Sequence, residues 1–195
     1  MKLYGANGGC SQASHIALIE SGLPFTFVSV ARDKKTSDGK DFNQINPKGY
    51  TPALELEDGT ILTESLAILM YIAEHSGKLL AKEGHARWQA LEATEFMTTE
   101  LHANFRPLFF AASGDDEKNK AKEMLVRRFA TLESQLGENQ YLIGKNLTIA
   151  DTYLFVMLSW ARMMDIAVAE RFGTYAANLR NVPSVAAALS AEGFA

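Results

Sequence analysis

The chain has 195 residues, 47% of them hydrophobic and 22% charged, and carries a formal net charge of −4. These values suit a globular protein of one or two small domains, and the acidic balance excludes broad nucleic-acid binding, which needs surplus Lys and Arg at the phosphates. The single cysteine excludes an internal disulfide framework, the first residues lack the apolar core of a signal peptide, and no apolar run reaches the ~20 residues that span a bilayer, so the expectation is a soluble cytoplasmic protein.

The first 77 residues alternate strand and helix signals. "KLYG" (Lys2–Gly5) predicts a short strand before an "NGG" turn. From Ser11 the apolar positions Ala13, Ile16, Ala17 and Ile19 predict a helix that Gly22 ends. "FTFVSV" (Phe25–Val30) predicts a strand, and "RDKKTSDGKD" a polar loop. "TPALELEDGTILT" predicts two strands around Asp58-Gly59, a strong hairpin signal. "ESLAILMYIAEHSG" predicts a helix closed by Gly77. A polar connection covers residues 78–86. Beyond it the periodicity is helical, predicting helices over about 86–112, 118–136, 149–165 and 184–191. The organisation is an α/β unit over 1–77 followed by an all-helical unit over 87–195.

Four short stretches carry chemistry. In "GGCS", Cys10 and Ser11 stand at the start of the first helix, where unpaired N–H groups and partial positive charge favour an anion. Such a position lowers a thiol pKa from about 8.5 into the range ~3.5–7.5. Two readings stand side by side: a thiolate site, or a small buried hydrophobe. A dithiol redox motif is excluded, since Ser11, Gln12 and Ala13 follow Cys10. In "NPKGYTPAL", Pro52 precedes a strand; a cis Thr51–Pro52 bond would present the Thr51 backbone to an extended peptide, and an ordinary turn proline is the alternative. In "DGTILTESLAI", Glu64 and Ser65 stand at a second helix start and suit the head of an α-amino acid. The alternative is simple capping, with Thr63 as N-cap and Glu64 in the first turn. "LTIADTYLF" holds a capping box from Thr148 to Asp151 and is structural.

Together and in this order, these stretches resemble the cytosolic glutathione transferase family. The first unit looks like its thioredoxin-like domain and the "TIAD" segment like the capping box of its helical domain. Cys10, His102 in "ELHANFRPLF" and the closing "LSAEGFA" resemble the bacterial beta class. The resemblance implies the glutathione transferase fold: an α/β thioredoxin-like N-terminal domain over 1–77, a linker over 78–86 and an all-α C-terminal domain over 87–195. It implies glutathione as cosubstrate, a small hydrophobic electrophile, a homodimer, and no nucleic-acid or membrane partner. No metal is expected, because four histidines and one cysteine lie at unrelated spacings.

By the same resemblance, Thr51, beside Pro52, would pair its backbone with the cysteinyl part of glutathione. Glu64 and Ser65 would hold the γ-glutamyl head, and Lys35 would reach the glycyl end. Glu95, Thr99 and His102, spaced to share a helix face, would border the ligand. In catalysis, the first helix start with Cys10 and Ser11 would stabilise the glutathione thiolate, and His102 would orient or deprotonate a bound group. Phe105, Phe109, Phe110, Trp160, Met163 and Met164 are candidate walls for the electrophile, each with core packing as its alternative. His15 reads as structural. One departure stands out: where a tyrosine is expected after the first strand, this chain has Tyr4 and then Gly5. Two other functions fit the same residues. One is a glutathione-dependent thioltransferase or peroxidase working through a Cys10 mixed disulfide; the other is a non-catalytic interaction module.

Overall fold

Four short strands form one mixed sheet in the order β2-β1-β3-β4. The computed structural model describes residues 1–194; Ala195, which ends both "LSAEGFA" and the expected helical unit, lies outside the described residues. In chain order the elements are β1 (Lys2–Gly5), α1 (Ser11–Ser21), β2 (Thr26–Ser29), α2 (Phe42–Ile45), β3 (Ala53–Glu55), β4 (Ile61–Thr63) and α3 (Ser65–Ser76). β1 runs parallel to β2 and antiparallel to β3, and β3 pairs antiparallel with β4. A parallel pair needs a crossover, which α1 provides. Leu3 opposes Leu54 and Tyr4 opposes Ala53, so the pleat divides the core. Tyr4 and Ala53 pack with Val28, Val30 and Phe42 on one side, while fully buried Leu3 and Leu54 face the other. This is the thioredoxin-like arrangement that the sequence predicts. The helix stops are also as predicted: Gly22 and Gly77 take left-handed φ values of 76° and 69°. The short α2 lies at the end of the predicted polar loop and carries one buried anchor, Phe42.

A second unit spans Glu83–Asn181. Its helices are α4 (His85–Phe96), α5 (Ala103–Phe109), α6 (Asp115–Leu136), α7 (Ile149–Met163) and α8 (Glu170–Arg180). The predicted helix over 86–112 is one run containing a π-helical segment, Met97–His102, between α4 and α5. α7 is buried on nearly every side and starts with the expected capping box. Asp151 accepts hydrogen bonds from the Thr148 N–H, the Thr148 hydroxyl, the Leu142 N–H and the Tyr175 hydroxyl. α8 lies in a stretch where the sequence predicts no element. It buries Phe172, Tyr175 and Leu179, spaced i, i+3, i+7 as a narrow helical stripe that Gly173 interrupts.

The final helix, α9 (Pro183–Glu192), packs against α1. The contacts therefore place the segment from Val182 onward in one unit with Met1–Lys82, whereas the sequence reading keeps it with the helices before it. Glu192, its side chain fully buried, makes the join. Its carboxylate accepts from the Gly8 N–H at 2.8 Å, the Gln12 side-chain amide at 2.9 Å and His15 Nδ1 at 2.8 Å. His15 is itself stacked on Phe27 at 4.3 Å.

Candidate functional site

In the first unit two helix starts and one loop converge on Cys10. The β1–α1 turn is held tight: the Gly9 N–H donates to the Ala6 carbonyl, and Ser11 Oγ both accepts from the Ala6 N–H and donates to its carbonyl. Ser11 is thus fully buried and saturated within the turn, a placement that fixes the turn rather than facing a ligand. Gly5 allows the approach. A Cβ there would stand 2.7 Å from both the Phe27 ring and Ser11 Oγ, so no tyrosine fits at this position. The neighbouring Tyr4 is fully buried and donates to Glu55 Oε2 at 2.7 Å.

Cys10 is the N-cap of α1 and its thiol faces the Thr51 carbonyl at 3.5 Å. The Thr51–Pro52 peptide bond is cis, and the Thr51 N–H has no partner among the described residues. Burial pushes the Cys10 thiol up to about 11, against hydrogen bonds from Ser65 and from the N–H groups of Cys10 and Ser11, which favour the thiolate. The helix-start donors are present as expected, but desolvation outweighs them. The predicted downward shift is therefore corrected to an upward one.

At the second helix start, neither expected cap is made. Glu64 is the N-cap of α3 without a side-chain cap bond, at φ 71° and ψ 127°, a strained conformation for a residue with a Cβ. Thr63 closes β4, and its hydroxyl accepts from Lys48 Nζ at 2.8 Å. The Glu64 carboxylate turns to Lys48 Nζ at 2.6 Å and the Tyr50 hydroxyl at 2.9 Å. The Lys48 hydrogen bond, followed by that of Tyr50, holds its carboxyl below the usual range against some desolvation. Lys48 and Tyr50 were not singled out in the sequence, although both lie inside "NPKGYTPAL". Lys34 and Lys35 are now distinguished: Lys34 Nζ donates to the Gly49 carbonyl at 2.7 Å, whereas Lys35 is exposed.

The second unit gathers a separate group. His102 Nδ1 lies 2.8 Å from the Tyr153 hydroxyl, and its ring meets Trp160 edge-on at 5.2 Å. Phe105 and Phe109 also pack edge-on to Trp160, at 5.5 Å and 4.9 Å. Burial holds the His102 imidazole below its ordinary range. Phe105 and Trp160 are core, whereas Phe109, Phe110 and Met163 are exposed and Met164 is half-buried. Phe110 pairs with Arg106, whose guanidinium lies 5.5 Å from its ring centre. Glu95 and Thr99 are exposed. Thr99 Oγ1 donates to the Glu95 carbonyl at 3.0 Å, and Thr98 ties the Glu95 carboxylate at 3.2 Å. The π segment begins between Glu95 and Thr99, so the shared face expected from α-helical spacing does not carry over intact. Among the described residues no group of three or more His, Cys, Asp or Glu could hold a metal ion, and no helix is long and apolar enough to cross a membrane.

Two family models match the chain: glutathione S-transferase, N-terminal domain, over residues 9–75, and glutathione S-transferase, C-terminal domain, over residues 96–178. Glutathione S-transferase GstA of Escherichia coli O157:H7 is 38% identical, with 99% of each chain covered. A sphingomonad glutathione S-transferase solved in complex with glutathione is 39% identical, with a TM-score of 0.91 and full coverage of both chains. A bacterial beta class enzyme of Sphingomonas chungbukensis is 36% identical, with a TM-score of 0.90 over the full length of both. With both domains matched and relatives aligned from end to end, the chain belongs to the glutathione S-transferase family.

Proposed function

We propose that the protein conjugates reduced glutathione to small hydrophobic electrophiles. The observation that carries this reading is the convergence of Cys10, the Thr51 backbone, Ser65 and Glu64 at two helix starts, each group matching one part of the tripeptide. The Thr51 N–H and carbonyl suit the cysteinyl backbone. Ser65 and the α3 start suit the γ-glutamyl carboxylate, and the Glu64 carboxylate suits its ammonium. Lys35, exposed on its loop, is the proposed partner of the glycyl carboxylate. The sulfur of glutathione would share the donors that already point at Cys10 Sγ. Its thiol proton passes to solvent. The thiolate then forms a C–S bond to the electrophilic carbon as a leaving group departs, or as an epoxide opens and its oxygen takes a proton. His102, held neutral by burial, with Phe105, Phe109 and Trp160, is the proposed seat for the apolar body of the electrophile. Phe110, Met163, Met164, Glu95 and Thr99 remain further candidates beside it, and Ser11 is assigned to positioning.

The upward shift of Cys10 weighs against a thioltransferase acting through this thiol, because the attacking species must be the thiolate. Membership of a family of named transferases favours an enzyme over an interaction module. A cytoplasmic homodimer is proposed on the same family grounds. A titration with glutathione followed by an activity panel tests the function. Binding at millimolar glutathione should raise the melting temperature, and at least one of aromatic halides, epoxides, hydroperoxides or isomerisable diketo acids should be turned over. No stabilisation by glutathione would refute the reading.

A further inference from the structure

We infer that Lys48 and Tyr50 are positioning residues for the glutathione ammonium, acting by holding one oxygen of Glu64 so that the other is presented to the ligand. The inference rests on the functional reading above and deepens it. All the donors that reach this carboxylate meet the same atom. Lys48 Nζ lies 2.6 Å and the Tyr50 hydroxyl 2.9 Å from Oε1, with the Thr63 hydroxyl at 3.5 Å. No described group bonds Oε2, and the Glu64 side chain is 54% exposed. An exposed glutamate with two or three donors on a single oxygen is an oriented acceptor, not merely a charge.

The backbone points the same way. Glu64 sits at φ 71°, a strained conformation that persists only where its surroundings determine it. Both donors of the clamp come from the loop that also carries Thr51: Lys48 bridges Thr63 and Glu64 across the β4–α3 junction, and Tyr50 bonds the same Glu64 oxygen. One loop therefore sets both the backbone pairing edge for the cysteinyl part and the orientation of the carboxylate for the γ-glutamyl part. The lowered carboxyl pKa of Glu64 accords with a group held in its ionised form.

The test compares wild type with Tyr50→Phe, Lys48→Met and Lys48→Arg, each checked for an unchanged melting temperature. Ligands are glutathione and its desamino analogue, which lacks the γ-glutamyl ammonium. Loss of a charge-assisted bond at an exposed site should raise the KM for glutathione about fivefold in Tyr50→Phe and Lys48→Met, with the change in KM and not in kcat. Lys48→Arg should restore most of the affinity. With the desamino analogue the variants and wild type should bind alike, since the oriented oxygen has nothing to meet. An unchanged KM, an equal loss with both ligands, or tighter binding by Lys48→Met would overturn the inference. The last result would place the lysine in the seat of the ligand ammonium. A wild type that binds no glutathione would instead overturn the functional reading itself.

Discussion

Cys10 shows how burial and a helix start compete at one atom. Three donors favour its thiolate, yet desolvation leaves the thiol up at about 11. At pH 7 roughly one thiol in ten thousand is then ionised. Because the pKa is raised, the reactive form grows about tenfold per pH unit until that value is reached. Alkylation by iodoacetamide should therefore be very slow at pH 7 in the folded, ligand-free protein and climb steadily up to pH 10. The same thiol in guanidinium should titrate near an ordinary ~8.5. A folded-state rate that levels off below pH 8 would contradict the assignment. The sequence made the position of this thiol legible, because "GGCS" before an apolar run is a local pattern. It could not make the sign of the shift legible, because the burial of the thiol is set by what the fold packs around it, as at the Thr51 carbonyl.

At the scale of elements, the end of β1 and the start of α1 approach so closely that position 5 tolerates only a hydrogen. A methyl group there meets the Phe27 ring and Ser11 Oγ at 2.7 Å. Neither neighbour can withdraw without disturbing the sheet or the saturated turn at Ala6. Gly5→Ala should thus destabilise by about 1–3 kcal/mol, lowering Tm by about 2–4 °C for each kcal/mol in a chain of this size. Calorimetry of the variant would check it, and an unchanged Tm would show that the turn yields freely. Element identity was largely readable from sequence for β1, α1, the hairpin, α3 and α7, each marked by its own periodicity or by a glycine or capping signal. α8 was marked more weakly, by a three-residue stripe at i, i+3, i+7 with Gly173, a poor helix former, inside it. The π segment was not readable: composition does not reveal one hydrogen-bond register replacing another.

For the whole molecule, the lesson lies in α9. Its sequence reads as one more helix, and nothing in it announces that Glu192 will bond groups 177 to 184 residues earlier. Such a join is non-local by nature, and no window of sequence contains both halves. Removing it should be severe. Glu192→Ala takes the buried acceptor from the Gln12 amide and the His15 ring, a loss of about 3–5 kcal/mol. Urea unfolding should register it as a lower midpoint, and a midpoint unchanged from wild type would show that water replaces the carboxylate without cost.

The same join imposes an order of events during synthesis. Residues 1–82 leave the ribosome long before Glu192 is made, so the turn that carries Cys10 must wait, with its buried acceptor missing, while more than half of the chain is still being translated. The unit that carries the β1–α1 turn is thus begun before the helical unit and completed after it, and a ribosome that stops short of residue 192 releases a product whose defect lies at that turn, more than 180 residues from the missing codon.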